Sequence, residues 1–161
     1  MEYSKILERA KSRKRQIKQL LERLQKLSVK EVDSYFHVEH ERVFEKIDCL
    51  KCANCCKTTG PLFTPKDVER IAKHLKLKPG AFIDQFLRKD EDNDYILQST
   101  PCIFLDSSKY CSIYSIKPKA CGEFPHTNRK NMKEISHLTF NNAIICPAVS
   151  QMLENIEEKL K

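Results

Sequence analysis

Four cysteines lie within eight residues of this chain, in the run Cys49-x-x-Cys52-x-x-Cys55-Cys56. The surrounding segment, IDCLKCANCCKTTGP, has neither the period of a helix nor that of a strand. A Cys-x-x-Cys step lets two thiolates converge on one metal through a tight turn, and the backbone N–H groups of that turn stabilise the sulfur charge. Buried thiols can also act as small apolar residues, but such tight clustering makes a poor core. The run therefore predicts metal ligands.

Four further cysteines complete the set: Cys102, Cys111, Cys121 and Cys146. Eight thiols divide into two groups of four, which is the ligand number of a structural zinc ion and of a cubane iron–sulfur cluster. Neighbouring side chains diverge, so we expect Cys55 and Cys56 to serve different centres. We therefore predict all eight cysteines as metal ligands in two centres. One centre with additional structural thiols is the alternative, and the spacing does not say which cysteines share a centre.

The identity of the metal is open between zinc and iron. The run from Cys49 to Cys55 with a distant Cys146-Pro147 is similar to a bacterial ferredoxin pattern, but the short C-terminal spacing of that pattern is absent. Tetrahedral zinc sites commonly combine one Cys-x-x-Cys pair with remote cysteines, and they contribute folding energy. We favour zinc, and we keep iron, including a 4Fe–4S cluster, as the other candidate.

The apolar stretches of the sequence indicate whether the protein is secreted or enters a membrane. Residues 1–30 contain no run of seven apolar residues, so they do not read as a secretory signal. The longest uncharged stretch, 135–153, is interrupted by Pro and by polar residues that are costly in hydrocarbon, so we predict no membrane association. We expect a cytoplasmic protein, in which thiols stay reduced and bind metal rather than form disulfides.

The chain has a formal net charge of +7, and residues 1–30 alone carry this excess. The same residues predict one unbroken helix with an apolar face formed by Ile6, Leu7, Ala10, Ile17, Leu20, Leu21, Leu24 and Leu27. A second helical pattern runs to Ile47, with Asp33 and Ser34 as candidate caps, and His37 and His40 on it are expected to be solvated. We therefore predict a basic amphipathic helical extension over 1–47 and a cysteine-cluster domain over 48–161.

The later sequence predicts short elements. Thr64, Pro65 and Asp67 form a helix start, since they supply a cap hydroxyl, a proline in the first turn and an acid. We predict a second short helix before Arg88, a hairpin within 95–114, one helical turn around Cys121, a strand over 139–145 and a final helix from Pro147. The fold class is mainly α with a small irregular or β portion, with short helices and loops around a cysteine-rich metal centre and amphipathic helices at the N-terminus.

Several segments resemble one known family: CLKCANCC, then PCIFLD, then KYCSIYSIKPKACGEFP, and finally ICP. They are similar to the widespread bacterial cysteine-cluster proteins named for a CxxCxxCC signature and described as zinc- or iron-chelating domains. The resemblance covers residues 48–148 and implies metal chelation by the cysteines. Some relatives, usually longer chains, are linked to protein lysine methylation.

The principal function that we predict is metal binding by the eight-cysteine cluster. The first alternative is an iron–sulfur protein in electron transfer, or an accessory to a protein-modifying enzyme of the methylation type. The second is a nucleic-acid-associated binder that uses the basic N-terminal helix. No catalytic base is evident near the cysteines, so a binding role is favoured over an enzymatic one; His126 is the candidate for a ninth ligand or an acid–base group. Lys117 and Lys119 are predicted to offset the charge of a four-thiolate centre. A protein partner stays open.

Overall fold

Helices form most of the chain in the computed structural model, which describes residues 2–161. Met1, the first residue of the predicted N-terminal helix, lies outside that range. The helices are α1 (Tyr3–Ser12), α2 (Lys14–Leu24), α3 (Val29–Phe44), α4 (Cys49–Cys52), α5 (Asn54–Thr58), α6 (Pro65–His74), α7 (Pro79–Phe86), α8 (Lys119–Glu123), α9 (Ser136–Ala143) and α10 (Pro147–Lys159), with 3₁₀ turns at Tyr114–Ile116 and Met132–Ile135. The strands β1 (Leu62–Phe63), β2 (Leu87–Lys89) and β3 (Tyr95–Leu97) form an antiparallel sheet in the order β1-β3-β2. The predicted fold class, mainly α with a small β portion, is confirmed.

The chain forms two compact units. The helical unit combines the residues up to Cys52 with Pro125–Lys161, and the central unit is Ala53–Phe124. The division into an extension over 1–47 and a domain over 48–161 stays a prediction. Within residues 2–161, no helix combines the length and apolarity needed to cross a lipid bilayer.

α10 is the central element of the helical unit. It packs against α1, α3 and α9, and it buries the residues Pro147, Ala148, Val149, Ser150, Met152, Leu153 and Ile156. Its polar side forms an ion pair with α1, because the Arg9 guanidinium donates two hydrogen bonds to the Glu154 carboxylate, at 2.6 and 2.7 Å. The Glu39 carboxylate on α3 is fully buried and accepts from Asn155 and Lys159, each at 2.6 Å. These contacts fix the N-terminal helices to the last helix.

Two expectations about the first helices are wrong. The predicted single helix is interrupted at Arg13, which has φ −107 and ψ 20. No Gly or Pro stands there, so the sequence gives no helix-breaking signal. The cap of α3 is Ser28, which forms a capping box with Glu31, rather than Asp33 or Ser34. Asp33 instead accepts the backbone N–H groups of residues 131 and 132, each at 2.8 Å.

The predicted strand over 139–145 is a helix, α9. Thr139 donates its hydroxyl to the carbonyl of Ile135, one turn back, at 3.0 Å. The buried residues Thr139, Asn142 and Ala143 recur at helical spacing. Asn142 also donates to the carbonyl of Pro125 at 3.2 Å. This tertiary burial outweighs the β-branched residues that suggested a strand.

The central unit has its own apolar core. α6 starts as predicted, because Thr64 caps it in a capping box with Asp67 and Pro65 occupies its first turn. The core comprises Phe63, Val68, Ile71, Ala72, Phe82, Leu87, Leu97, Phe104 and Ile113. The ring of Phe82 is fully buried, and its centroid lies 6.1 Å from that of Phe63 and 6.3 Å from that of Phe104. α6, α7 and the sheet are thereby joined to the loop that carries Cys102.

The predicted hairpin within 95–114 is replaced by two separate features. β3 pairs back with β2 across an acidic turn, in which Asp90 accepts the N–H groups of Asp92 at 3.0 Å and Asp94 at 2.9 Å. Beyond β3, an isolated antiparallel bridge joins Leu105 to Cys111. The strand signal at Tyr95 is therefore correct, but its partner precedes it in the chain.

Candidate metal centre

The backbone brings Cys56 and Cys102 together. Cys56 lies on the short helix α5, which follows Ala53 in the left-handed conformation with φ 49. The N–H of Cys102 donates to the carbonyl of Cys56 at 2.7 Å. The two cysteines are distant in sequence, so this bond is a tertiary contact that sequence spacing does not reveal.

A tight loop brings Cys111 next to Cys102. Ser112 donates its N–H to the carbonyl of Phe104 at 2.8 Å, beside the bridge between Leu105 and Cys111. The turn between them is closed by Asp106, whose carboxylate accepts the N–H groups of Ser108 and Tyr110, each at 2.9 Å. An Asp at the first position of such a turn mimics a backbone turn. The loop therefore presents its two cysteines from adjacent arms.

Backbone N–H groups point at both of these sulfurs. Burial raises the pKa of the Cys102 thiol, and hydrogen bonds from the backbone of Phe104 and Leu105 oppose that rise. Burial likewise raises the pKa of Cys111, against a hydrogen bond from the backbone of Ile113. N–H donors of this kind stabilise a thiolate, which is the form that binds metal.

Cys121 reaches the same place on α8. Pro118 precedes the helix, and the predicted helical turn around Cys121 is confirmed. The helix start is anchored by Asp67, which accepts the N–H of Lys119 at 3.1 Å. Asp67 also binds Arg70 at 2.7 Å, and Arg70 donates to the carbonyl of Lys117 at 2.9 Å. The sequence indicated Asp67 only as a helix-capping residue, so its role in placing Cys121 was missed.

Four thiols of the central unit influence one another's charge: Cys56, Cys102, Cys111 and Cys121, which we call the central quartet. Burial, together with the charges of the other three members, raises the pKa of Cys121 to about 12. A hydrogen bond from the Cys55 thiol lowers the pKa of Cys56 to about 7, despite the opposing effect of burial. Lys117 lies near the quartet, since its charge lowers the pKa of both Cys111 and Cys121.

A second group lies in the helical unit. Cys49 and Cys52 are one turn apart on α4, and Cys146 is the N-terminal residue before α10. Burial, together with the charges of Cys49 and Cys52, raises the pKa of Cys146 to about 11. Hydrogen bonds from the backbone of Ala148 and Val149 oppose this rise. These three thiols are therefore neighbours within one unit.

The chemistry of the quartet fits a thiophilic metal, although its side chains are not closed into a cage. Within residues 2–161, no three His, Cys, Asp or Glu side chains are arranged to hold a metal ion as they stand. Cys56, Cys102, Cys111, Cys121 and Cys146 are all thiols rather than disulfide halves. Four sulfurs without a carboxylate suit zinc or iron–sulfur clusters and disfavour magnesium or calcium.

The histidines occupy different environments from those expected. His37 donates its Nε2–H to the carbonyl of Arg129 at 2.8 Å, and His40 Nδ1 pairs with the hydroxyl of Thr127 at 2.8 Å. Both side chains are half-buried and hydrogen-bonded, so they are less exposed than the sequence suggested. His126 belongs to the helical unit and has φ 65. Its assignment as a ninth ligand or an acid–base group stays a prediction.

A protein-family model matches residues 48–141, which is more than half of the chain. Its description is "CxxCxxCC: Putative zinc- or iron-chelating domain". The chain belongs to this CxxCxxCC family. The resemblance inferred from the sequence is thus confirmed, and the match includes every cysteine except Cys146. No solved structure matches the chain.

Proposed function

We propose that this CxxCxxCC protein binds a structural zinc ion through the central quartet, Cys56, Cys102, Cys111 and Cys121. The observation that supports the proposal is the bond at 2.7 Å from the N–H of Cys102 to the carbonyl of Cys56, and the charges of these two thiols and of Cys111 help to raise the pKa of Cys121. The four thiols come from separated parts of the sequence, their charges act on Cys121, and each is at least partly removed from water. Their family is described as one that chelates zinc or iron.

The residues around the quartet prepare it for a cation. Desolvation and mutual repulsion keep Cys102, Cys111 and Cys121 protonated at neutral pH, since both effects disfavour the thiolate. A bound divalent zinc ion would supply the positive charge that makes four thiolates favourable, leaving a formal charge of minus two. The ammonium group of Lys117 and the backbone N–H groups that face the sulfurs offset part of that remaining charge.

A structural role for the metal follows from the size of the central unit. Its core must hold together only the residues Ala53–Phe124, and cores of roughly 70 to 80 residues supply little surplus stability without a staple. The quartet joins α5, the loop from Cys102 to Cys111, and α8. Thiolate zinc sites assembled in this way contribute directly to folding. We therefore favour zinc over a redox-active iron centre.

Two groups of predicted ligands remain. We propose that Cys49, Cys52 and Cys146 contribute to a second metal centre in the helical unit, because their charges also interact. Cys55 stays a predicted ligand without an assigned centre. The alternative of an iron–sulfur protein uses the same sulfurs and differs in the metal.

Elemental analysis of anaerobically purified protein, combined with its visible spectrum, tests the proposal. We expect colourless protein that contains zinc, and loss of zinc with a fall in thermal stability after treatment with a strong chelator. A brown protein with iron and acid-labile sulfide would overturn the choice of zinc. Protein that binds neither metal after refolding under reducing conditions would overturn metal binding itself.

A further inference from the structure

Exposed cations that the fold does not use lie on α1, on α2 and in the turn that follows α2. We call them the basic face; its members are Lys11, Lys14, Arg15, Lys18 and Lys26. All five are exposed. Within residues 2–161, none of them forms an ion pair or a side-chain hydrogen bond. These charges are therefore available to a partner.

Other cations of the same helices show what the fold does require. Arg9 and Arg13 are both bound by carboxylates of α10: Arg9 by Glu154, and Arg13 by Glu154 and Glu157. Folding thus uses these two arginines and leaves the basic face unpaired.

The unpaired cations also work against the helix that carries them. Lys14 and Lys18 are four residues apart on α2, a spacing at which like charges repel. The acid that α2 contributes is Glu22, which lies one turn after Lys18 and two turns after Lys14 and is in no ion pair among residues 2–161. Repulsion of this kind is relieved when an anionic partner covers the face.

We infer that the basic face binds the phosphate backbone of duplex DNA. α2, which carries three of the five cations, is about 16 Å long, whereas duplex DNA presents one negative charge for about every 1.7 Å of its axis. Flexible lysine and arginine side chains contact phosphates without reading bases. The expected binding is therefore independent of sequence and sensitive to salt.

The buried side of the same helices argues against a membrane as the partner. Helices that lie on a bilayer insert an apolar face beneath the lipid headgroups. Here Ile17, Leu20, Leu21 and Leu24 are buried in the helical unit, so α2 has no apolar face left to insert.

Other nucleic acids fit the face less well. The segment from Lys11 to Lys26 contains no aromatic residue, so it offers no platform on which single-stranded bases can stack. The deep and narrow major groove of duplex RNA restricts side-chain access, whereas the major groove of B-form DNA is wide enough to receive a helix surface. Duplex DNA is thus the partner that the charges and the composition favour.

The test is fluorescence anisotropy of a labelled duplex of about 20 base pairs, titrated with the full chain at several salt concentrations. Contacts to about four phosphates predict that the association constant falls roughly 100-fold between about 50 mM and about 200 mM salt. The variant Lys14→Gln/Arg15→Gln/Lys18→Gln should bind at least about tenfold more weakly at the lower salt concentration, with a salt slope reduced by about 2.7.

A matched control removes the same charge elsewhere. Lys66→Gln/Lys73→Gln/Lys78→Gln alters three exposed lysines of the central unit and should bind within about threefold of the wild type. Glutamine preserves helix propensity, and circular dichroism checks that both variants are folded. The single change Lys18→Gln should reduce the salt slope by about 0.9.

Several results would overturn the inference. They are the absence of duplex binding at low salt, equal binding by the basic-face variant and the wild type, and an equal loss in the control variant. Tighter binding to phosphatidylserine vesicles, or to duplex RNA, would overturn the choice of DNA. The outcome does not depend on whether the cysteines bind zinc.

Discussion

The carboxylate of Asp67 accepts the backbone N–H of Lys119 at 3.1 Å, and this bond fixes the start of the helix that carries Cys121. Asp67 is almost completely buried and also accepts from Thr64 and Arg70. Arg70 in turn donates to the carbonyl of Lys117 at 2.9 Å. A residue without sulfur therefore positions one member of the central quartet.

Replacing Asp67 should weaken both the fold and the metal site. We expect Asp67→Asn to lower the free energy of unfolding by about 2 kcal/mol, because it removes a charged acceptor from buried donors. It should also weaken zinc binding to the quartet, since Lys119 loses its anchor. Denaturant titration with and without zinc measures both effects.

A suitable control is Asp84→Asn, which removes an exposed carboxylate from α7. Its unfolding free energy should stay within about 0.5 kcal/mol of the wild type. Unchanged zinc affinity in Asp67→Asn would contradict the positioning role, even if the variant were less stable.

Stability should fall in acid because of two buried carboxylates. Burial raises the pKa of Glu39 and Asp67, but the hydrogen bonds and cations around each outweigh it, so both pKa values lie below the ordinary ones. A group of this kind stabilises the fold above its unfolded pKa, and the effect is lost as pH falls through the folded pKa. Unfolding free energies measured between about pH 7 and pH 2 should therefore decline below about pH 4.

The variant Glu39→Gln checks this assignment. It should be less stable at neutral pH, because Lys159 loses its buried partner, and its stability should depend less steeply on pH in the acid range. An acid decline as steep as that of the wild type would show that Glu39 does not contribute to it.

Single cysteine substitutions should separate the two groups of thiols. Cys111→Ser and Cys121→Ser should each lose about one equivalent of metal from the central quartet. Cys146→Ser should leave that equivalent in place, since its neighbours are Cys49 and Cys52. Metal-to-protein ratios after gel filtration distinguish these outcomes, and the same loss from all three variants would contradict the grouping.

Lys117 and Lys119 should differ in their effect on metal binding. The charge of Lys117 lowers the pKa of Cys111 and Cys121, so Lys117→Gln should reduce zinc affinity by about threefold to tenfold. Lys119 pairs with Glu123 at 3.4 Å, and Lys119→Gln should change the affinity less than about twofold. Competition with a chromophoric chelator measures both zinc affinities. Equal affinities in the two variants would contradict the specific contribution of the Lys117 charge.

Zinc binding should release protons and strengthen as pH rises. Cys121, with a pKa of about 12, and the other thiols with raised pKa values are protonated at neutral pH, whereas Cys56, with a pKa of about 7, is partly ionised. Binding by all four thiolates should thus release between about three and four protons at pH 7. Calorimetry in buffers of different ionisation enthalpy measures the number, and a release of about one proton or fewer would exclude a four-thiolate site.

Local signals in the sequence predicted the elements that local interactions determine. The capping box at Thr64, the proline-bracketed turn around Cys121 and the helix from Pro147 all depend on neighbouring residues, and all three were predicted correctly. The break at Arg13 and the helix α9 were not predicted: Arg13 binds Glu154 and Glu157 on α10, and α9 packs against α2 and α10, contacts with segments remote in the sequence.

The grouping of the cysteines could not be predicted from the sequence, because it too depends on contacts between remote segments. Spacing identified the ligand type, but the contact between Cys56 and Cys102 depends on a backbone bond that joins distant residues. The role of Asp67 depends on its hydrogen bond from the N–H of Lys119, and no sequence pattern indicates a contact between these distant residues. Sequence patterns thus indicated the chemistry of the site, and the tertiary contacts were needed to assign residues to it.

The helical unit is built from two separate parts of the chain, and this determines when it can fold during synthesis. α3 ends at Phe44, whereas α10, which packs against it, begins only at Pro147. At about 5 to 20 residues per second, a ribosome needs roughly 5 to 20 s to add the intervening 100 or so residues. The central unit is continuous in the chain and is complete before α10 emerges. The apolar faces of the first three helices therefore stay uncovered by α10 until that helix has been synthesised. During that interval the nascent chain can aggregate or be bound by a chaperone.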